Sequence, residues 1–392
     1  MNQKFQDDLF NNIHDYLISL ESSDSKFHFY PAKEGLLKNG EKLSLGFSCL
    51  ALKSYYMTGL WEKQSTPFQN NWIEFINSFQ KNHTNFPINS YVDSEYLNGF
   101  SDAGINRQFK NITKTLLNLT TNFDFDTDEK KKQDGVRAET KQAISTLFQV
   151  GSKNKLAFLD FPYKQQKAEN FLTNLNWQKP WSAGAQYSAL CVFSATQLGK
   201  NDREESIDFL KNFIKSLSNK DTGGYYKSSM PSSKEFINGA MKVLTGLDWI
   251  EQEIHYPEKL IDYCLMNKPS HEGCDIVDII YVLYRCNKET SYKRLQVEEY
   301  LENQLDFIEK HYFYGTGGFS YFINKSQNTY YGLDITKGLR APDLHGTTLL
   351  LWALSMIYEI VFPDKDYLKG GRGRFLKKYQ FNIDIDEKIK FE

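Results

Sequence analysis

The chain repeats a two-part unit. Six or seven times an amphipathic segment is followed by a loop and then by a second segment of small and apolar residues. The clearest first members are WIEFINSFQ (72–80), KAENFLTNLNW (167–177), SIDFLKNFIKSL (206–217), PEKLIDYCLMN (257–267) and VEEYLENQLDFIEKHYF (297–313). Their apolar residues recur at i, i+3, i+4 and i+7, the pattern of a helix with one buried face. The second members are LGFSCLALKSYYMTGL (45–60), RAETKQAISTLFQVG (137–151), SAGAQYSALCVFSATQLG (182–199), INGAMKVLTGLDWI (237–250), GCDIVDIIYVLYRC (273–286) and RAPDLHGTTLLLWALSMIYEI (340–360). These are apolar on more than one face, as helices enclosed by other helices are.

Such hairpins bury their apolar faces by stacking on one another, in an open array or a closed one. Polar groups near the starts of the second helices favour closure, as do the recurrent loops DTGGYY (221–226) and GTGGFSYF (315–322). Strand signals are weak, because Thr and Val are not gathered into alternating runs. The expectation is an all-α protein, an (α/α)6-type toroid of inner helices surrounded by outer ones. No Pro/Gly/Ser-rich linker divides it, so residues 1–392 read as one toroid domain with an N-terminal helical segment and a short C-terminal tail. Gly59, Gly151 and Gly199 fall near second-helix ends, where left-handed C-caps are expected. The acidic-then-basic piece DFDTDEKKKQD (124–134) is expected to be a mobile loop.

With 40% hydrophobic and 15% aromatic residues, the 392-residue chain can bury a sizeable core. Its net charge of −2 gives no broad case for nucleic acid or an anionic membrane. Five cysteines (49, 191, 264, 274, 286) form no CxxC pair, and an odd number argues against a full disulfide framework. The opening MNQKFQDDLFNNIHDYL lacks the pattern of a signal peptide, and no apolar run reaches the roughly 18 residues of a membrane span. The chain reads as a soluble, cytoplasmic protein. The expected partner is a small-molecule or lipid-linked substrate, with no nucleic acid and no transmembrane segment; the oligomeric state is not fixed.

In a closed array the starts of the inner helices meet at one end, where free N–H groups and positive dipole ends favour anions. At or near those starts stand Arg137 and Glu139, Gln186 and Tyr187, Asn238 and Lys242, Asp275 and Asp278, and Asp343 and His345. Asp275 and Asp278 share one helix face at i, i+3. Each of these could be a cap or half of an ion pair, and Asp343 directly after Pro342 suits an N-cap. Charged residues at equivalent places on several inner helices point instead to a shared polar cavity. His345, near its helix start, can serve as acid, base or ligand. The long segment 319–343 carries Tyr321, Tyr330, Tyr331, Lys325, Lys337 and Arg340 and has the length of a lid. The expected catalytic residues are His345, Asp343, Asp275, Asp278 and Glu139. The expected substrate-binding residues are Arg137, Gln186, Tyr187, Asn238, Lys242, Tyr321, Tyr331 and Arg340. No Walker loop, dinucleotide fingerprint or HExxH is present.

The loops Gly223-Gly224-Tyr225 and Gly317-Gly318-Phe319 resemble the Gly-Gly-aromatic loops of terpenoid cyclases and protein prenyltransferase β-subunits. The stretch DLHGTTLLLWALS resembles the Asp-x-x-His-Thr helix of the prenyltransferases, with one residue fewer between Asp343 and His345. Glu272-Gly273-Cys274 stands where that family has Asp-Gly-Cys. The resemblance covers about residues 180–360. It implies a zinc set of Glu272, Cys274 and His345, with His271 and Asp275 as substitutes for Glu272, and a prenyltransferase- or cyclase-like enzyme acting on an isoprenoid diphosphate. Other toroids share the architecture. A glycan-processing lyase, epimerase or hydrolase and a non-catalytic helical-array binding protein are the alternatives.

Overall fold

The computed structural model describes residues 3–101, 113–114, 127–267 and 270–363. Helices dominate, and the only strands among these residues are two hairpins of two-residue strands. The difference between the two members of each repeat is visible in burial. Helix α9 (Lys200–Leu217) buries only Ser206, Leu210, Ile214 and Leu217, a single stripe, and turns its charges outward. Helix α8 (Pro180–Gln197), which precedes it, is buried on nearly every side over its last three turns.

The same contrast runs along the chain. The one-faced helices are α1 (Gln3–Ser19), α4 (Thr66–Asn77), α7 (Gln165–Thr173), α9, α11 (Pro257–Met266) and α13 (Arg294–Glu309). The enclosed ones are α3 (Leu45–Met57), α6 (Asp128–Gln149), α8, α10 (Ser233–Trp249), α12 (Cys274–Glu289) and α14 (Leu344–Val361). Short helices α2 (Lys38–Lys42) and α5 (Ser94–Ser101) complete the set. Among the enclosed helices, α3 packs on α6, α6 on α8, α8 on α10, α10 on α12 and α12 on α14, and α14 packs back on α3. The one-faced helices lie against this series: α1 and α4 on α3, α7 and α9 on α8, α11 on α12, and α13 on α12 and α14. Helix α14 is by length and hydropathy capable of crossing a membrane, yet 72% of it is buried in the fold.

Two local expectations are corrected. Residues 128–134 are not a loop but the first two turns of α6; residues 124–126 lie outside the described residues. Thr127 Oγ1 accepts from Lys130 N at 3.2 Å, and Asp128 and Glu129 sit at the positive end of the helix dipole, so this charge order starts a helix. Gly59 and Gly151 are left-handed as expected, with φ of 70° and 78°, but Gly199 is extended, with φ of −64°, and leads directly into α9.

The loop 315–322 is held by close backbone approach. Strands β1 (Tyr312–Phe313) and β2 (Gly318–Phe319) pair antiparallel, and Gly317 has φ of 81°. A Cβ on Gly317 would lie 2.4 Å from the Asn12 carbonyl carbon of α1, and one on Gly346 would lie 2.3 Å from the Tyr321 nitrogen. Glycine is required at both places by contact with backbone, which cannot yield as a side-chain end can. A second hairpin, β3 (Thr329–Tyr330) with β4 (Leu333–Asp334), lies farther along the connection to α14. Gly346→Ala should push 320–321 off the start of α14 and destabilise the protein by about 1–3 kcal/mol, read as a lowered urea midpoint.

Candidate functional site

In helices otherwise buried on all sides, the half-buried residues mark where the packing opens. In α3 every residue is buried except Lys53. Beyond the first turn of α10, only Lys242 and Asp248 are not buried. In α6 the half-buried positions past Gly135 are Arg137, Ala138, Lys141 and Gln142. In α14 they begin with His345, Leu349 and Trp352, spaced i, i+4, i+7 on one face. Cys274 is the half-buried residue at the start of α12. Three of these half-buried positions on the enclosed helices are lysines, Lys53, Lys141 and Lys242.

Several of these groups lie within electrostatic reach of one another. Lys141 is brought down to about 7 by burial first, then by the fields of Lys242 and Lys53. Lys53 falls to about 8, by burial and then Lys242, with the Cys49 thiol opposing. Lys53 of α3 and Lys242 of α10 lie within electrostatic reach of each other. His345 of α14 is lowered to about 4 by burial, then Lys242 and Lys53. Asp278 moves the other way, up to about 7, because burial outweighs the opposing field of Lys242. Among the described residues no carboxylate lies within 4.0 Å of Lys53, Lys141 or Lys242. Lys53, Lys141 and Lys242 are half-buried, and the carboxylate on which Lys242 acts is that of Asp278.

Around the lysines stand polar groups with fixed roles. His345 Nδ1 is 3.0 Å from Gln327 Oε1, an oxygen that can only accept, so Nδ1 carries the proton and Nε2 keeps its lone pair. The Tyr321 ring lies 5.1 Å from that of His345, and its hydroxyl is 3.2 Å from Cys274 Sγ. His345 thus meets the α12 start through Tyr321. Asp343 caps α14 by accepting from Gly346 N at 2.7 Å, and it also accepts from Tyr321 N at 2.6 Å and Gln327 N at 3.1 Å. Burial raises Asp343 to about 7, against these backbone donors, which favour the anion.

The remaining expected residues fall into separate places. Asp275 accepts from Asn238 Nδ2 at 2.9 Å and Ser270 Oγ at 2.7 Å, and pairs with Lys234 at 3.2 Å; Asp278 Oδ2 and Asn238 Oδ1 are buried without a partner. Glu139 is enclosed beside Gly46 of α3, accepts from the Tyr330 hydroxyl at 3.4 Å, and is held well above the usual carboxylate range by burial. Arg137 donates to Gln186 Oε1 at 2.7 Å, and both contact Asp134. With Lys131, Lys179 and the partly exposed Tyr331 they line an open cleft of about 400 Å³. Tyr187 is a core residue instead: it is fully buried, and its hydroxyl donates to Leu210 O in α9. Arg340 is exposed and donates to Asn324 Oδ1 at 3.2 Å.

Among the described residues no three His, Cys, Asp or Glu side chains come together as a metal-binding group. Glu272 accepts from Ile323 N at 3.1 Å, Cys274 meets Tyr321 and His345 meets Gln327. Lys53 and Lys141 were not among the residues expected from sequence. Their signal is a lone lysine inside an otherwise enclosed helix, LALKSYY and ETKQAIS. No family model, curated protein or solved structure matches the chain.

Asp343→Ala removes the α14 cap and leaves two loop N–H groups without an acceptor, so a loss of about 2–4 kcal/mol is expected in urea titrations. Lys141→Met tests the buried cation through pH. The folded-state pKa of about 7 lies below the ordinary 10.5, so the unfolded chain binds the extra proton between those values. The parent therefore gains stability from this lysine as pH rises through that window. The variant's advantage over the parent should be full and level below about pH 6 and shrink towards about pH 10.

Proposed function

We propose that the six enclosed helices form the inner layer of an (α/α)6 toroid and that its central cavity binds a small molecule through an anionic group. The return of α14 onto α3 supports the closure. The electrostatic reach of Lys53, Lys141 and Lys242 to one another, with no carboxylate within 4.0 Å of any of them among the described residues, supports the ligand class. Primary ammonium groups on three separate helices suit a compact polyanion such as a diphosphate, since each donates in three directions and none needs a planar partner.

On this reading the chain is an enzyme acting on an isoprenoid diphosphate, the substrate class implied by the resemblance. Lys53, Lys141 and Lys242 would hold the diphosphate and stabilise the charge it gathers as the carbon–oxygen bond breaks. The hydrocarbon would lie along Leu349, Trp352 and Tyr321. The Nε2 lone pair of His345 is a base for a proton lost from the carbocation. Zinc rests on the resemblance alone, and no step here requires it.

One observation favours a second reading. Asp278, raised to about 7, and His345, lowered to about 4, make an acid and a base available together near neutral pH. A glycan-processing enzyme acting on an acidic sugar would use such a pair, with the lysines on the carboxylate.

Calorimetric titration separates the readings. Inorganic diphosphate and a prenyl diphosphate should both bind, the prenyl compound more tightly, and each single Lys→Met change at 53, 141 or 242 should weaken binding by about tenfold or more. Binding of a uronate oligosaccharide without diphosphate binding would favour the second reading, and no binding of either would remove the anion site.

A further inference from the structure

Helices α6 and α8 are joined across their N-terminal halves by three side chains. Arg137 Nη1 donates to Gln186 Oε1 at 2.7 Å and lies 3.3 Å from Asp134 Oδ1, which also accepts from Gln186 Nε2 at 3.2 Å. The guanidinium carbon sits 5.4 Å from the centroid of the Phe171 ring. One nitrogen is thus committed and the group rests against an aromatic ring, while Nε and Nη2 have no acceptor among the described residues. The side chain is still 30% exposed and lines the open cleft of about 400 Å³. The edge formed by Nε and Nη2 carries two parallel N–H groups, the geometry that takes two oxygens of one anion.

Tyr331, at the tip of the β3–β4 hairpin, lines the same cleft. Tyr330 pairs with Leu333, so the turn is Tyr331-Gly332, and both residues have positive φ, 42° and 88°. Such a turn ordinarily takes Asn-Gly, because a side chain as large as tyrosine is strained in the left-handed region. Neighbours hold it there: the Tyr96 hydroxyl donates to Tyr331 O at 3.1 Å, and the rings of Tyr330 and Tyr331 lie 4.5 Å apart. Tyr331 nevertheless stays 42% exposed, so core packing does not account for the strain. A ligand ring lying on it would.

Charge narrows the ligand. Lys130, Lys131, Arg137 and Lys179 bring four positive charges to the cleft against the one negative charge of Asp134. A phosphate monoester, with a charge of about −1.5 to −2 near pH 7, matches that excess better than a single carboxylate. Asn174, Asn176 and Ser182 are exposed along the same lining, and their amides and hydroxyl suit sugar hydroxyls, not a hydrocarbon.

We propose that this cleft binds a sugar phosphate, Arg137 and the lysines taking the phosphate and Tyr331 the sugar ring. The site is built from different side chains than the one proposed among Lys53, Lys141 and Lys242, and either can stand without the other.

Calorimetric titration of the full chain with ribose 5-phosphate, AMP, inorganic phosphate and ribose tests it. Ribose 5-phosphate should bind at least about tenfold more tightly than inorganic phosphate or ribose. Arg137→Lys keeps the charge but removes the planar edge and should weaken binding by about tenfold. Tyr331→Asn gives the turn its preferred residue, so it should fold, yet it should bring the affinity for ribose 5-phosphate close to that for inorganic phosphate. Thermal melts would establish that the variants fold, and Lys179→Met, at an exposed position, should weaken binding even where Arg137→Lys does not fold. AMP bound about as tightly as ribose 5-phosphate supports a free sugar phosphate as the ligand. AMP bound about tenfold more tightly supports the same site with a nucleotide as the source of the sugar phosphate. No binding of ribose 5-phosphate, or binding unaltered in Arg137→Lys, Tyr331→Asn and Lys179→Met, overturns the proposal. Binding lost in Lys53→Met but kept in Lys179→Met and Tyr331→Asn would place the ligand elsewhere and overturn it equally.

Discussion

The carboxylate of Asp343 is the junction on which the site depends. It is almost wholly buried, and its two oxygens receive backbone N–H groups from three segments: the first turn of α14, the loop at Tyr321 and the strand-like stretch at Gln327. Tyr321 reaches Cys274 and Gln327 fixes the tautomer of His345, so the acid sets the position of both side chains without entering the cavity. Gly346 allows the approach, because any Cβ there would collide with the Tyr321 backbone. His311, with ring nitrogens 2.8 Å from the Ser320 and His271 carbonyl oxygens, ties the same loop to the segment before α12. A cap, a glycine and a histidine thus do for this connection what regular strands do elsewhere.

Against that polar junction, the lysines raise an energetic question. Placing a cation in protein without a partner costs several kcal/mol, and three in mutual reach cost more. The fold limits the cost by letting protons leave: Lys141 and Lys53 fall to about 7 and about 8. It limits it further with a hydroxyl acceptor, Ser188, for Lys141. Apolar residues at 53, 141 and 242 would pack more cheaply in helices otherwise buried on all sides. An anion bound among the three, as proposed, would supply the missing charge.

Much of this was legible in the sequence. The contrast between one-faced and enclosed helices follows directly from apolar spacing, and the Pro342-Asp343 step reads correctly as a cap because the capping oxygen and the helix start are adjacent in the chain. Lys53 and Lys141 are not expected from the sequence. Both lie in mid-helix, whereas attention to helix starts follows from dipoles and caps. A lone lysine in LALKSYY looks like an end reaching solvent; only the folded structure shows that it is the one half-buried residue of an enclosed helix. Tyr187 failed for the opposite reason. One residue along from Gln186, it points to the other side of α8, towards α9, and helical rotation of about 100° per residue separates neighbours in sequence. The charged start of α6 was misread because lysines mask a good Thr-Asp-Glu cap when charge density is weighed as a whole.

The claim at the centre of this account is that Lys53, Lys141 and Lys242 share one anion. Crystals soaked in tungstate and measured at the tungsten absorption edge test it directly. The account expects an anomalous peak among the three Nζ atoms, within hydrogen-bonding reach of at least two of them, and its disappearance in Lys53→Met. Tungstate found only on the outer helices, with the three lysines turned away from one another in the refined structure, would contradict it.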